Sequence, residues 1–233
     1  MTPEPLLGGN RTGIALAPER ADEMVHGFDE FEPTSHTGER ELAQMHVREA
    51  KDAPSLGSLP EPKKGGKMDP KDATHAVLMD KLGERLAFER TGARLYEAML
   101  AKLDAHGTFD GGPTREQLDD IRAEERSHFE MLTKCITQLG GDPTAVTPSA
   151  DLAGVSSSGI AKVICDPRTD VVQCLDALLV AELTDNAGWE TLIELAREAG
   201  QDEIVPRFQK AREREEEHLE EVQSWLQAGL GLP

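Results

Sequence analysis

Six side chains in this chain recur at spacings suited to holding two metal ions. Glu125 and His128 stand three residues apart in "EERSH", and Glu215 and His218 repeat that step in "REREEEHLEEV". On a helix, residues three apart share a face, so each Glu-x-x-His can present a carboxylate and an imidazole together. Glu89 in "AFERTGARLY" and Glu182 in "LLVAELTDNAGWETL" are single glutamates with apolar neighbours. The six offer four carboxylates and two imidazoles, a set that suits Fe, Mn or Zn better than Ca or a thiol-loving metal. Their four negative charges are the complement of two divalent ions. The competing explanation is a solvated helix. "KAREREEEHLEEVQSWL", Lys210 to Leu226, is the kind of charge run that ordinarily faces water. The elements that carry these residues decide between the two.

Four long helical patterns follow residue 74. The first covers roughly 74–104 and stops at "HGTFDGG". The second begins after Pro113, with Thr114 ahead of Glu116 and Gln117, and stops at "LGGDP". The third begins after "DPRTD" and ends near Gly200; the fourth covers about 202–228, with Pro206 in its first turns. Such punctuation marks helix ends. The first-to-second and third-to-fourth connections are short, which predicts two antiparallel hairpins. The segment "GDPTAVTPSADLAGVSSSGIAKVICDPR" joins them. At roughly 28 residues it can return along a bundle whose helices, at 1.5 Å per residue, are about 40 Å long. A short helix is expected within it, from Ile160 to Ile164. The predicted fold class is all-α, a four-helix bundle with one long crossover between its second and third helices.

Bundle helices bury positions alternating three and four apart. The first helix then offers Leu82, Leu86, Glu89, Ala93, Tyr96, Leu100 and Leu103, and the second Leu118, Ile121, Glu125, His128, Leu132, Cys135 and Leu139. The third offers Leu175, Leu178, Glu182, Asp185, Trp189, Leu192 and Ala196, and the fourth Ile204, Phe208, Ala211, Glu215, His218, Val222 and Trp225. Each seam is apolar except near its middle. Moving any of them by one residue would trade large apolar side chains for charged ones, so the apolar residues fix the register and the register turns the carboxylates and imidazoles inward. Burying ionised carboxylates is costly unless something compensates. Raised protonation gives partial relief, and two divalent cations give more.

The rest of the composition narrows the function classes. A net charge of −19 argues against nucleic acid and anionic membrane surfaces as partners. No stretch is apolar and long enough to span a bilayer, and "MTPEPLLGGNRTGIALAPER" lacks the basic start and apolar core of a secretory signal. Cys135, Cys165 and Cys174 form no CxxC pair, which predicts a reducing, cytoplasmic setting and no rubredoxin-type iron site. Residues 1–72 are acidic and rich in Pro and Gly, and are expected to form an extended or partly disordered arm ahead of a dimetal bundle at 73–233. Within that arm, "SLGSL" at 55–59 resembles the short tags that address cargo to encapsulin shells, although those tags sit at a terminus.

Residues 75–228 resemble the ferritin-like di-iron carboxylate proteins, bacterioferritin and the di-iron domain of rubrerythrin above all. That family takes one Glu from each of two helices and a Glu-x-x-His from each of the others. The step from Glu89 to Tyr96, the "LGGDP" after the second helix and the "LLVAELTDNAGWETL" segment are similar to bacterioferritin. The resemblance implies a ferritin-like bundle in which Glu125 and Glu215 bridge two irons, Glu89 with His128 completes one, and Glu182 with His218 completes the other. Asp185 would be either a ligand or a hydrogen-bonding residue behind the ligands. Tyr96 would be either a nearby electron donor or a core residue. The implied activity is oxidation of Fe(II), or reduction of peroxide or O2, with an external reductant in the absence of a rubredoxin module. The alternatives are a manganese-catalase-like disproportionation and iron sequestration without turnover. Two Fe ions are the expected cofactor, with two Mn, mixed Mn/Fe, or Zn acquired in purification as alternatives. The expected partners are O2 or H2O2, an external reductant and a second copy of the chain in a homodimer, with neither nucleic acid nor membrane.

Overall fold

A computed structural model describes residues 70–232, which form five helices in chain order. They are α1 (Pro70–His106), α2 (Arg115–Gln138), α3 (Pro148–Cys165), α4 (Val171–Glu198) and α5 (Val205–Gly229). The four expected bundle helices are α1, α2, α4 and α5. Their ends follow the local chemistry. Thr114 and Asp170 each close a capping box, with Gln117 and Gln173 respectively. Gly140 and Gly200, just past α2 and α4, have φ of 83° and 68°, which lets the chain leave the helix in the left-handed region. No helix among the described residues is long and apolar enough to cross a membrane. The arm expected at 1–72, "SLGSL" included, lies outside the described residues except for the first residues of α1.

The crossover differs from expectation in one respect. Instead of a short helix at 160–164, it carries an 18-residue helix, α3. Four serines and two glycines make this segment a poor helix former on its own, and tertiary contacts to α1 fix it. Thr147 caps α3 and donates from Oγ1 to the Asp80 carbonyl at 2.9 Å. Asp80 accepts from the Ser149 backbone at 2.9 Å and from its hydroxyl at 2.6 Å. Gly83 allows this approach, since a Cβ there would lie 2.4 Å from Thr147 Cγ2. At the far end, Lys102 donates to the carbonyls of Asp166 (2.6 Å) and Thr169 (2.9 Å). Pinned near Asp80 at its start and Lys102 past its end, α3 runs parallel to α1. It therefore returns the chain along the bundle, so that α2 and α4 are parallel, the single-crossover topology. Close helix neighbours are α1 with α2, α3 and α4, and α4 with α5 and α3, while α2 and α5 meet more loosely.

Every expected seam position is buried apart from Ala93 and Leu139, which are partly so. The apolar core falls into two clusters. One contains Tyr96, Leu100, Leu118, Leu178 and Trp225; the other contains Leu82, Leu132, Trp189, Phe208 and Ala211. Between them along the bundle lies the layer of buried carboxylates and imidazoles.

Candidate metal centre

The seam register brings Glu89, Glu125, His128, Glu182, Asp185, Glu215 and His218 into one buried layer, none more than 8% exposed. His128 Nδ1 lies 2.6 Å from Glu215 Oε1 and 3.5 Å from Glu89 Oε2. His218 Nδ1 lies 2.9 Å from Glu215 Oε2 and 3.6 Å from Glu125 Oε1. Two potential half-sites follow, one of Glu89, His128 and Glu215 and one of Glu125, Glu215 and His218, with donor atoms within 4.8 Å of one another in each. Glu215 belongs to both, one oxygen toward each histidine. Asp185 groups with Glu89, Glu125 and Glu215 at the same range. Glu182 joins none of these groups: its Oε1 accepts a 2.6 Å hydrogen bond from the Tyr96 hydroxyl. Asn186 ties the layer together by donating to the carbonyls of Glu182 (3.1 Å) and Glu215 (2.9 Å), one on α4 and one on α5.

The electrostatics are those of an overloaded acidic core. Burial first, then repulsion from Glu215 and Glu89, raises Glu125 well above the usual carboxylate range. Burial and Glu215 push Glu182 up to about 7. Burial also raises Glu89 against the lowering influence of His128, and raises Asp185 against that of Arg85. Glu215 goes the other way: despite burial, His128 and His218 hold it down to about 2. Burial opposes the charge on His128, yet Glu215 and Glu89 lift it to about 10. His218 is likewise raised, against burial, by Glu124, Glu125 and Glu215. The layer thus compensates itself with protons.

That compensation is incomplete, and its gaps have the chemistry of metal ligands. Both oxygens of Glu89, Oε2 of Glu125, Oε2 of Glu182, Oε1 of Glu215 and Nδ1 of His128 are buried without a well-directed hydrogen bond. The Glu89, Glu215 and His128 atoms have only ion-pair neighbours, and Oε2 of Glu125 and of Glu182 have none among the described residues. Native interiors seldom tolerate such groups. Here they are oxygens and an imidazole nitrogen concentrated in one layer, a donor set that fits two ions of the Fe, Mn or Zn type.

Three residues that build the layer escape a reading by hydropathy. Gly92, on α1, leaves the space that Glu125 fills; a Cβ there would lie 2.1 Å from Glu125 Oε2. Glu124 stands at 2.7 Å from His218 Nε2 and is itself gripped by Arg214, so it orients the imidazole from behind. Arg85 is buried beside Glu89 and Asp185. A glycine in mid-helix was the only sequence signal for the first, and a glutamate preceding a buried seam glutamate looks like any surface residue. Trp189 and Trp225 are core residues of the chain, and Cys135 packs on the seam.

A model of the ferritin-like domain matches residues 79–229. The chain belongs to the ferritin-like family. A solved ferritin-like, diiron-carboxylate protein from Bacillus anthracis str. Ames shares 20% identity over 68% of this chain and 99% of that one, with a TM-score of 0.50, a likeness of fold. No curated protein matches the sequence. In this ferritin-like chain the carboxylate–histidine layer sits where the bundle's four helices converge and can hold metal.

Proposed function

We propose that the layer binds a dinuclear iron centre, and that the protein oxidises Fe(II) or reduces peroxide or O2 at the expense of an external reductant. The observation that carries this reading is the pair of buried donor groups, Glu89–His128–Glu215 and Glu125–Glu215–His218, that share Glu215, with carboxylate oxygens that no well-directed hydrogen bond satisfies. Glu215, with one oxygen toward each histidine, would serve both ions, with Glu125 as its counterpart from α2. Glu89 with His128, and Glu182 with His218, complete the two halves. Such a pair of ions supplies two electrons at neighbouring open positions for O–O bond reduction. The chain's own residues have distinct tasks. Glu124, 2.7 Å from Nε2 of His218, would hold the proton on that nitrogen and leave Nδ1, which faces Glu215, to ligate once it gives up its own proton. Tyr96 holds Glu182 by its hydroxyl, a place from which it can also give up an electron and pass its proton to the carboxylate. The protein is proposed to act in the cytoplasm, in keeping with three free cysteines, and as a homodimer.

The first test is metal content after purification without added metal, beside Glu125→Ala and Glu215→Ala. Two Fe per chain, lost in both variants, support the centre. Loading anaerobically with Fe(II) and mixing with O2 or peroxide then tests turnover. Two Mn with O2 evolution from peroxide alone would replace the proposed activity by disproportionation. No metal in any sample, even after anaerobic Fe(II), would refute the centre itself.

A further inference from the structure

The carboxylate layer contains one group that the ligand pattern does not account for. Arg85, one turn before Glu89 on α1, has a side chain only 5% exposed. Its Nη1 lies 2.7 Å from Asp185 Oδ1 and donates to the Asp185 carbonyl at 3.0 Å, while Nε lies 3.2 Å from Glu89 Oε1. The guanidinium sits 4.3 Å over the Phe88 ring and 5.9 Å from that of Trp189. The place is built for it: a Cβ on Gly188 would fall 2.1 Å from Nη1, so a larger residue there would displace the arginine. An arginine cannot shed its charge by deprotonation, and at this burial solvent ions screen it little. The opposite half of the layer is arranged differently. His218 is backed by the Glu124 carboxylate at 2.7 Å, which strengthens it as a ligand, whereas His128 packs edge-on against Trp189 at 5.7 Å.

Building on the dinuclear reading above, we propose that Arg85 is a fixed counter-cation that makes the two halves of the centre unequal. It holds Asp185 out of the ligand set and competes for one oxygen of Glu89, so the Glu89–His128 half takes its metal more weakly than the Glu182–His218 half. Arg85 and Gly188 are positioning residues: they act through Asp185 and Glu89 and touch no reacting atom.

Co(II) alone, titrated anaerobically into the full chain, tests this by ligand-field absorption with equilibrium dialysis for stoichiometry. The wild type is expected to bind the first ion at least about tenfold more tightly than the second, ~1.4 kcal/mol. Glu89→Gln should abolish the weaker step and His218→Ala the tighter one. Arg85→Gln should tighten the weaker step by about tenfold, a ~1.4 kcal/mol change, and alter the absorption as Asp185 enters the ligand set. Combining it with Asp185→Asn should keep the tightening and lose the spectral change. This double variant removes the arginine–aspartate pair as a unit, so it serves where the single variant fails to fold. Arg85→Lys, which keeps the charge, should leave the weaker step weak. Equal steps in the wild type, a weaker step unmoved by Arg85→Gln and by the double variant, or one tightened as much by Lys as by Gln, each overturn the inference. A wild type that binds no Co(II) defeats the dinuclear reading, and this inference with it.

Discussion

Gly92→Ala separates the fold from the metal site more cleanly than removal of a ligand does. In the interior of a helix, glycine is about 1 kcal/mol less favourable than alanine, and nothing in the backbone of α1 requires a glycine at this position. On propensity alone the substitution would stabilise the protein. The added Cβ, however, would fall 2.1 Å from Glu125 Oε2 and 2.8 Å from its carboxyl carbon. The carboxylate has to retreat by about 1 Å to reach ordinary contact, and metal–ligand distances are set to within about 0.2 Å. A shift several times that tolerance would remove Glu125 from the bridging position proposed for it. The flexible end of a glutamate side chain can make this move at little cost to the fold. Gly92→Ala is therefore expected to leave the unfolding free energy of metal-free protein within about 1 kcal/mol of the wild type. It should lower metal occupancy, or weaken Co(II) binding by about tenfold or more, ~1.4 kcal/mol. Urea denaturation and Co(II) titration read the two quantities separately. A variant that binds two ions with wild-type affinity would refute the argument that this glycine exists to admit Glu125.

The remaining predictions concern protons and the groups behind the ligands. Glu124→Ala is expected to weaken metal binding about 10–100-fold, because His218 loses the group that orients it; dialysis measures it, with the helical circular dichroism unchanged. Tyr96→Phe strips Glu182 Oε1 of its 2.6 Å donor and is expected to cost the metal-free protein about 1–3 kcal/mol by urea denaturation. Metal-free protein should lose stability as pH rises. His128 stays protonated in the fold up to about 10, against an unfolded value of about 6.5, so its contribution is complete below the lower value and lost through the higher. Glu182, held at about 7 in the fold, works in the same direction above an unfolded value of about 4.3. Glu215, held near 2, gives a contribution present above the ordinary carboxylate range and lost only in acid. Thermal melts at pH 5, 7 and 9 should therefore fall in that order without metal. The decline should flatten once metal binds, since a ligating imidazole is already neutral.

The sequence yields the register of all four bundle helices, because Leu, Ile, Phe and Trp recur so regularly that only one alignment buries them. That same alignment places Glu89, Glu125, His128, Glu182, Glu215 and His218 in the core. Other features resist a reading by hydropathy because their causes lie on other helices. Arg85 is a charged residue on an inward-facing position, and its burial makes sense only beside Asp185 and the gap at Gly188, one hundred residues away. The crossover helix α3 has weak intrinsic propensity and is held by Asp80 and Lys102, both of which look like surface residues of α1. Tyr96 was readable as a candidate near the site, but its hydrogen bond to Glu182 depends on the stagger between α1 and α4.

Arg85 also changes the arithmetic of the layer. Four ligand carboxylates alone would match two divalent ions, but Asp185 is a fifth carboxylate in the same layer. The guanidinium restores the balance: five negative charges, one fixed positive charge and two dications sum to zero. Without the ions the deficit falls on protons: burial first and then mutual repulsion raise Glu125 and Glu182, burial raises Glu89, and Glu215 and Glu89 raise His128 against burial. On this arithmetic, metal binding would be an exchange of protons for cations within the layer. Each flanking cluster is built largely of apolar side chains outside the layer, and each touches the layer at one point, Tyr96 on Glu182 and Trp189 on His128. Such a chain is expected to hold its bundle before any metal arrives, as urea denaturation of metal-free protein would show, with bound ions adding about 4 kcal/mol at a thousandfold excess over Kd. Apolar packing thus carries the fold, which leaves the carboxylate layer free to be arranged for the metal.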